Sequence, residues 1–315
     1  MRFLTAGYKK DIMRITKVLT CICLLLARPV FAQQKTENTL LWRITGNGLQ
    51  APSYVFGTIH MICADDIRLS DSLTSAIAKS DAVYLELDMD NMFEMLGAVR
   101  KMKMRGDTTL ADLLPEKDYL LVKDYFKSQG SPLPFSMLET FKPMLAASTL
   151  METAATCDKS VAMEQLIMKE AKQGGKSIKG LESMAYQLSI FDSIPYKLQA
   201  QQLAEYVKSH GTKEESRKEM EKMERAYKSQ DLKAMELLTL QDDMGIARFT
   251  DLLLYNRNRN WVAKMQDLMK EKTLVFAVGA GHLPGNQGVL NLLRKMGYKV
   301  EPVANKMEKK KTAEL

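Results

Sequence analysis

Two of the chain's three histidines close the same local pattern of an apolar strand, a glycine, two residues and a histidine. They are Val55-Phe56-Gly57-Thr58-Ile59-His60 and Ala277-Val278-Gly279-Ala280-Gly281-His282. A strand that ends on glycine lets the backbone turn tightly and approach a ligand. The side chain that follows projects from the sheet edge where α/β proteins bind. One Gly-x-x-His is a weak signal. Two presented alike point to one shared site. His210, in Lys208-Ser209-His210-Gly211, reads instead as a helix-end residue.

Two acids sit at comparable positions, Glu86 in Tyr84-Leu85-Glu86-Leu87-Asp88 and Glu182 in Gly180-Leu181-Glu182. A carboxylate among apolar strand residues is costly to bury unless it is paired or coordinated. The wet face of an edge strand explains such acids equally well. Arg257 stands in the polar patch Asn256-Arg257-Asn258-Arg259-Asn260-Trp261. Its fixed fork of donors suits holding a carboxylate or polarising a carbonyl, and a surface arginine would look the same. Neither His-Glu-x-x-His nor Gly-x-Ser-x-Gly occurs, which removes two common hydrolase mechanisms.

The elements that must position these residues begin with a hairpin. Leu40 to Ile44 pairs with Ser53 to Phe56 around Gly46-Asn47-Gly48. A helix follows from Asp71 to Lys79, then a strand from Ala82 to Leu87. From about Asn91 to Lys272 apolar residues recur at helical spacing, with one strand-like stretch from Ser177 to Leu181. Strand character returns at Thr273 to Val278, a helix at Gln287 to Met296, and a last strand at Tyr298 to Val303. This predicts an α/β (α+β) fold: a mixed central sheet with flanking helices and a large helical insertion, whose segment 91–172 forms a cap. The many methionines, crowded at Met89, Met92, Met95, Met102 and Met104, read as helix-packing residues rather than a copper box. The charge-dense run Lys208 to Lys228 reads as a solvated helix face.

Residues 1–32 read as a secretory signal. Lys9, Lys10, Arg14 and Lys17 precede the apolar run Val18 to Ala27, and Ala32 closes a small-residue cleavage site. The run is too short to span a bilayer comfortably, so no stable membrane span is expected after cleavage. Cys21 and Cys23 lie inside the run, which argues against a lipid anchor. The formal charge of +7 resides entirely in residues 1–32 and in the basic tail 306–315, which reads as disordered. Residues 33–305 are neutral overall, and nucleic-acid binding is set aside. Cys63 and Cys157 remain in the mature chain, either as a disulfide or as two small buried thiols.

Taken together in order, several pieces resemble the TraB/GumN (TraB/PrgY/GumN) family, which includes the Tiki-type proteases and is more distantly similar to erythromycin-esterase-like proteins. The resemblance covers residues 40–303. It is carried by Phe56 to His60, Leu85 to Asp88, Lys142-Pro143, Gly180 to Glu182, Arg257-Asn258 with Trp261, and Val278 to Gly285. It implies that His60 and His282 are the paired motif histidines, Glu86 and Glu182 the matched acids and Arg257 the matched base. It also implies a divalent metal, manganese or cobalt. There is one departure: similar sequences often carry an acid in the segment matching Ser160 to Met163, where this chain has Ala162, with Glu164 two positions later. An acid missing there weakens or rearranges any metal site it helped to build.

The expectation is therefore an exported hydrolase of the periplasm or extracellular space. His60, His282, Glu86 and Glu182 would bind a metal, with Glu86, Glu182 and Arg257 catalytic. Peptide bonds are the first choice of substrate and other amides or esters the second. The competing expectations are a non-catalytic binding protein for a peptide or small ligand, and a structural role in the cell envelope. Oligomeric state is not readable from the sequence.

Overall fold

The structure, a computed structural model, describes residues 38–131, 133–153, 157, 159–209, 213–241 and 246–307. The signal expected over 1–32, His210 and the tail beyond Met307 lie outside the described residues. No helix among the described residues is long and apolar enough to cross a membrane.

Eight strands are described: β1 Leu41–Thr45, β2 Ser53–Thr58, β3 Ile62–Cys63, β4 Ala82–Leu87, β5 Ser160–Val161, β6 Ser177–Glu182, β7 Leu274–Gly279 and β8 Lys299–Pro302. The main sheet runs β6-β4-β7-β2-β1-β8. Its β6, β4, β7 and β2 are mutually parallel neighbours, whereas β1 pairs antiparallel with both β2 and β8. The expected hairpin is present, with Gly46, Asn47 and Gly48 all at positive φ (78°, 47° and 81°). That left-handed backbone is why glycine and asparagine occupy the turn. The mixed sheet agrees with the expected fold class.

Strand alternation splits the core into two layers. Leu41, Phe56, Val83, Leu85, Val275 and Ala277 face one way. They pack on helix α1 (Asp71–Lys79), which supplies Leu73, Ala76 and Ile77. Ile44, Val55, Tyr84, Phe276 and Val278 face the other way, toward the later helices that carry Trp261, Val262, Met265 and Leu290.

The insertion holds the short helices α2 Met92–Met102, α3 Leu110–Leu113, α4 Glu116–Gln129, α5 Phe135–Leu138 and α6 Pro143–Thr153, then α7 Met163–Gln173. After β6 come α8 Met184–Ile190, α9 Tyr196–Ser209, α10 Lys213–Lys228 and α11 Leu232–Leu240. The insertion has its own core of Leu110, Val122, Phe126, Leu138, Phe141 and Leu150, completed by Leu203 and Val207 of α9. The helical cap is thus wider than residues 91–172, because α9 returns across β6 to close it. The chain ends with α12 Asn256–Met269, β7, α13 Val289–Lys295 and β8.

Two readings change. Met104 is buried, but Met92 is 69% exposed and Met89 37%, so neither fills a packing gap. The run ending at Lys228 is not solvated all round: Met220, Glu224 and Tyr227 of α10 are buried, at the i, i+4, i+7 spacing of one helix face.

Cys63 and Cys157 are joined, with Cα atoms 5.9 Å apart. The bridge closes a small clip in which β3 pairs antiparallel with β5, Ile62 opposite Val161 and Cys63 opposite Ser160. Strands of two residues are too short to leave an alternating pattern in the sequence.

Candidate active site

Parallel pairing brings the two Gly-x-x-His motifs side by side. In the β2–β7 register Gly57 lies opposite Val278 and Thr58 opposite Gly279. Both chains therefore leave the sheet at the same edge, one to His60 and the other to His282. Glycine is required at each exit by close approach. A Cβ on Gly57 would lie 2.8 Å from Leu283 Cδ1 and 3.1 Å from Ala280 Cα, and one on Gly279 would lie 3.1 Å from Glu86 Oε1. Tyr227, fully buried on α10, donates its hydroxyl to the Gly57 carbonyl at 2.9 Å and holds the first exit in place. Nothing in its charge-dense sequence surroundings singled it out beyond helical spacing.

Glu86 and Glu182 end the neighbouring parallel strands β4 and β6, where Leu87 pairs with Glu182. β4 is interior to the sheet, so an edge strand does not account for Glu86. Although β6 is the edge, the Glu182 side chain is only 6% exposed. All four strands thus deliver polar side chains to their common C-terminal edge, the usual binding edge of an α/β sheet.

Arg257 gathers them. It stands in the first turn of α12, just after a π-helical turn at Asp251–Tyr255, a type of irregularity frequent at functional sites. Its Nη2 donates to Glu86 Oε2 at 2.6 Å and to Glu182 Oε1 at 2.7 Å, and Nε donates to the same Glu182 oxygen at 3.0 Å. Nη1 reaches the Leu253 carbonyl at 3.0 Å and His282 Nε2 at 3.2 Å. Every N–H of the guanidinium thereby has a partner. The other Glu182 oxygen accepts from Trp261 Nε1 at 2.9 Å, and the Trp261 ring lies under the Arg257 guanidinium and beside the His282 ring.

The network fixes the His282 tautomer. Arginine only donates, so Nε2 is the accepting nitrogen and the ring proton lies on Nδ1, donated to Asn258 Oδ1 at 2.6 Å. The Asn258 amide is oriented in turn by its Nδ2, which donates to the Gln287 carbonyl at 2.8 Å. Burial pulls the His282 imidazole down to about 3, with Glu86 opposing and Arg257 assisting. It is neutral at neutral pH.

Burial also disfavours the charged form of Glu86, yet its carboxyl is held down to about 2 by His282, Arg257, His60 and the Gly279 N–H. With His282 neutral, Arg257 comes first among the remaining causes, then His60, then the Gly279 amide, whose nitrogen lies 2.7 Å from Glu86 Oε1. Glu182 goes the other way. Burial raises its carboxyl more than Arg257 lowers it, and Glu86 adds repulsion.

His60 stands apart from the clamp. Its ring is 78% exposed, and Nδ1 lies 3.0 Å from Glu164 Oε1. The bond to Glu164 raises the imidazole above its ordinary range, and exposure to water screens part of that rise. Glu164 lies in the first turn of α7, two residues after Ala162 at the helix N-cap, and is 6% exposed. Burial pushes its carboxyl up, and His60 together with the nearby Thr58 hydroxyl outweighs this and leaves it below the usual range. Glu164 Oε2 and Thr58 Oγ1 are nonetheless both buried without a well-formed hydrogen bond. Sequence reading noted Glu164 only as an acid two places away from an expected one.

No three of His60, Glu86, Glu182 and His282 bring ligand atoms within 4.8 Å of one another. The Arg257 guanidinium lies between the two carboxylates, His60 is turned to Glu164, and His282 Nε2 and Glu86 Oε1 are 3.8 Å apart. Among the described residues, Cys63, Asp66 and Glu224 do meet that spacing. The Cys63 sulfur is engaged in the disulfide and Asp66 pairs with Lys228 at 2.5 Å, so that group lacks a thiolate. In kind, imidazole nitrogens and carboxylate oxygens suit a first-row divalent ion, and the orphaned Glu164 Oε2 is the type of atom that a bound cation satisfies.

The TraB/PrgY/gumN family model matches residues 40–302. The chain belongs to this family. It is similar to the metalloprotease TIKI2 of Danio rerio, 23% identical over 320 residues that cover 85% of this chain and 61% of that protein. It is also similar to the metalloprotease TIKI1 of Homo sapiens, 24% identical over 322 residues, with 85% and 63% covered. A metalloprotease TIKI homolog of Nematostella vectensis is 22% identical over 335 residues. The chain spans about three-fifths of the length of the first two. No solved structure gives a significant match. The matched range of this TraB/PrgY/gumN chain contains both motif histidines, the Arg257 clamp and Glu164.

Proposed function

We propose that this TraB/PrgY/gumN chain is an exported, metal-dependent hydrolase acting on peptide bonds. The observation that carries the reading is the convergence of Glu86, Glu182, Arg257 and His282, from four distant segments, at one sheet edge beside His60. Names of relatives support protease chemistry. The Cys63–Cys157 bridge supports export, because disulfides persist outside reducing compartments.

His60, His282 and Glu86 are the residues that would hold a divalent ion, most simply manganese or cobalt, once their ligand atoms drew closer together and Arg257 Nη1 released His282 Nε2. Bound there, it would supply a Lewis acid and a water of lowered pKa. Arg257 lies between Glu86 and Glu182 and favours the charged form of each, and Asn258 holds the His282 ring with its Nε2 lone pair toward Arg257 and the site. Glu182, with both oxygens engaged, anchors Arg257 and Trp261. Glu86 is too weak a base at neutral pH to take a proton unaided.

The test is metal analysis of purified mature protein together with turnover of a mixed peptide library, for wild type, His60→Ala and His282→Ala. Bound metal and cleavage in wild type alone are expected. A metal-free wild type that holds a peptide tightly without cleaving it would replace this reading by that of a binding protein.

A further inference from the structure

We propose that Glu164 is the positioning residue for His60, holding the proton on Nδ1 and turning Nε2 outward as the working nitrogen. The inference deepens the hydrolase reading and rests on His60 being part of that site. Three observations carry it.

The first is the contact itself. A 3.0 Å approach of Nδ1 to Oε1 leaves only Nε2 free, and the His60 ring is otherwise open to solvent, so few other contacts hold its orientation. Imidazoles that bind metals or carry protons are commonly oriented in this way by a carboxylate behind them.

The second is the burial of the acid. Glu164 is 6% exposed while its partner is at the surface, and its Oε2 has no well-formed hydrogen bond, with the Thr58 hydroxyl nearby. A buried carboxylate with a poorly satisfied oxygen is costly. It does not serve the core, since Met163, Ile167 and Ala171 of the same helix already provide the apolar face of α7.

The third is the way the two residues are brought together. The Ile59 carbonyl accepts from Met163 N at 3.0 Å, and Ala64 N donates to the Lys159 carbonyl at 2.9 Å. Between these bonds lies the β3–β5 pairing, and the Cys63–Cys157 bridge joins the two segments just beyond the second bond. The segment just after His60 is therefore fastened to the segment just before Glu164, and Glu164 meets His60 across the clip rather than by a chance surface encounter.

The experiment uses the mature chain and two readouts. Long-range 1H–15N spectra of the imidazoles, taken where the rings are neutral and assigned with His60→Gln, report the His60 tautomer. Cobalt(II) titration followed by visible absorption reports affinity and ligand field. Wild type should show His60 protonated on Nδ1. Glu164→Gln, whose amide oxygen still accepts from Nδ1, should keep that tautomer and weaken cobalt binding about tenfold. Glu164→Ala should release the tautomer and weaken binding about 10–100-fold, the range for losing an outer-shell partner. If Glu164→Ala does not fold, an unchanged cobalt affinity and spectrum in Glu164→Gln overturns the proposal. An unchanged tautomer in folded Glu164→Ala overturns it as well. A wild type that binds no cobalt would sink the hydrolase reading, and the tautomer measurement would still decide the role of Glu164.

Discussion

Arg257 grips one oxygen of Glu182 with two of its nitrogens, Nε at 3.0 Å and Nη2 at 2.7 Å, while Nη2 also holds Glu86 at 2.6 Å. A lysine is a point charge on a flexible stem and cannot reproduce that fork. Arg257→Leu leaves two buried carboxylates without a counter-charge and should cost about 3–5 kcal/mol in urea denaturation. Arg257→Lys should recover only part of it. Equal stability of the three proteins would mean that the clamp does not form in solution.

The two motif glycines should fail differently. At Gly57 a methyl group would press on Leu283, Leu40 and the backbone of Ala280, so Gly57→Ala should lose about 1–3 kcal/mol through overpacking. At Gly279 the same methyl meets Glu86 Oε1 at 3.1 Å and His282 Cδ2 at 3.6 Å. Gly279→Ala should therefore lose less stability and more turnover. Thermal melts set beside kcat/KM on one cleaved peptide would show the split, and the reverse ranking would contradict it.

The part of the metal-free protein's stability that depends on His282 should fall with acid, whereas His60, whose folded pKa is raised, acts in the opposite direction between pH 8 and 6.5. The folded pKa of His282 is depressed to about 3 from 6.5, so the unfolded chain binds the extra proton first. Its contribution is complete above 6.5 and is lost as pH falls toward 3. By pH 5 the loss relative to pH 8 is about 2 kcal/mol, taking about 1.4 kcal/mol per pH unit. Glu86, depressed to about 2 from 4.5, extends the loss below pH 4.5. Denaturant midpoints of wild type and His282→Gln between pH 8 and 5 would test this, with wild type expected to lose stability relative to the variant as pH falls.

The Cys63–Cys157 bridge closes a sequence separation of 94 residues. Constraining so long a loop in the unfolded chain stabilises by up to about 4–5 kcal/mol. Cys63→Ala with Cys157→Ala should lower the thermal midpoint by several degrees, and reduction of wild type should match it. Mass spectrometry finding two free thiols in native, unreduced protein would remove the basis of the prediction.

Local pattern was enough to name the hairpin, the strands of the two histidine motifs and the residues His60, Glu86, Glu182, Arg257 and His282, because strand exits, turn glycines and buried charges are written in short stretches of sequence. How those residues pair was not legible there. That β4 is interior, and so removes the edge-strand account of Glu86, depends on strand order, which is set by pairings across most of the chain. That Arg257 separates the acids, rather than leaving them to share one ion, depends on the approach of α12 to four strand ends. Tyr227 escaped notice, and Glu164 was legible only as an acid near an expected one, for the same reason. Each lies in a helix whose own pattern is ordinary, and each gains its partner, Gly57 or His60, only when segments more than a hundred residues apart pack together.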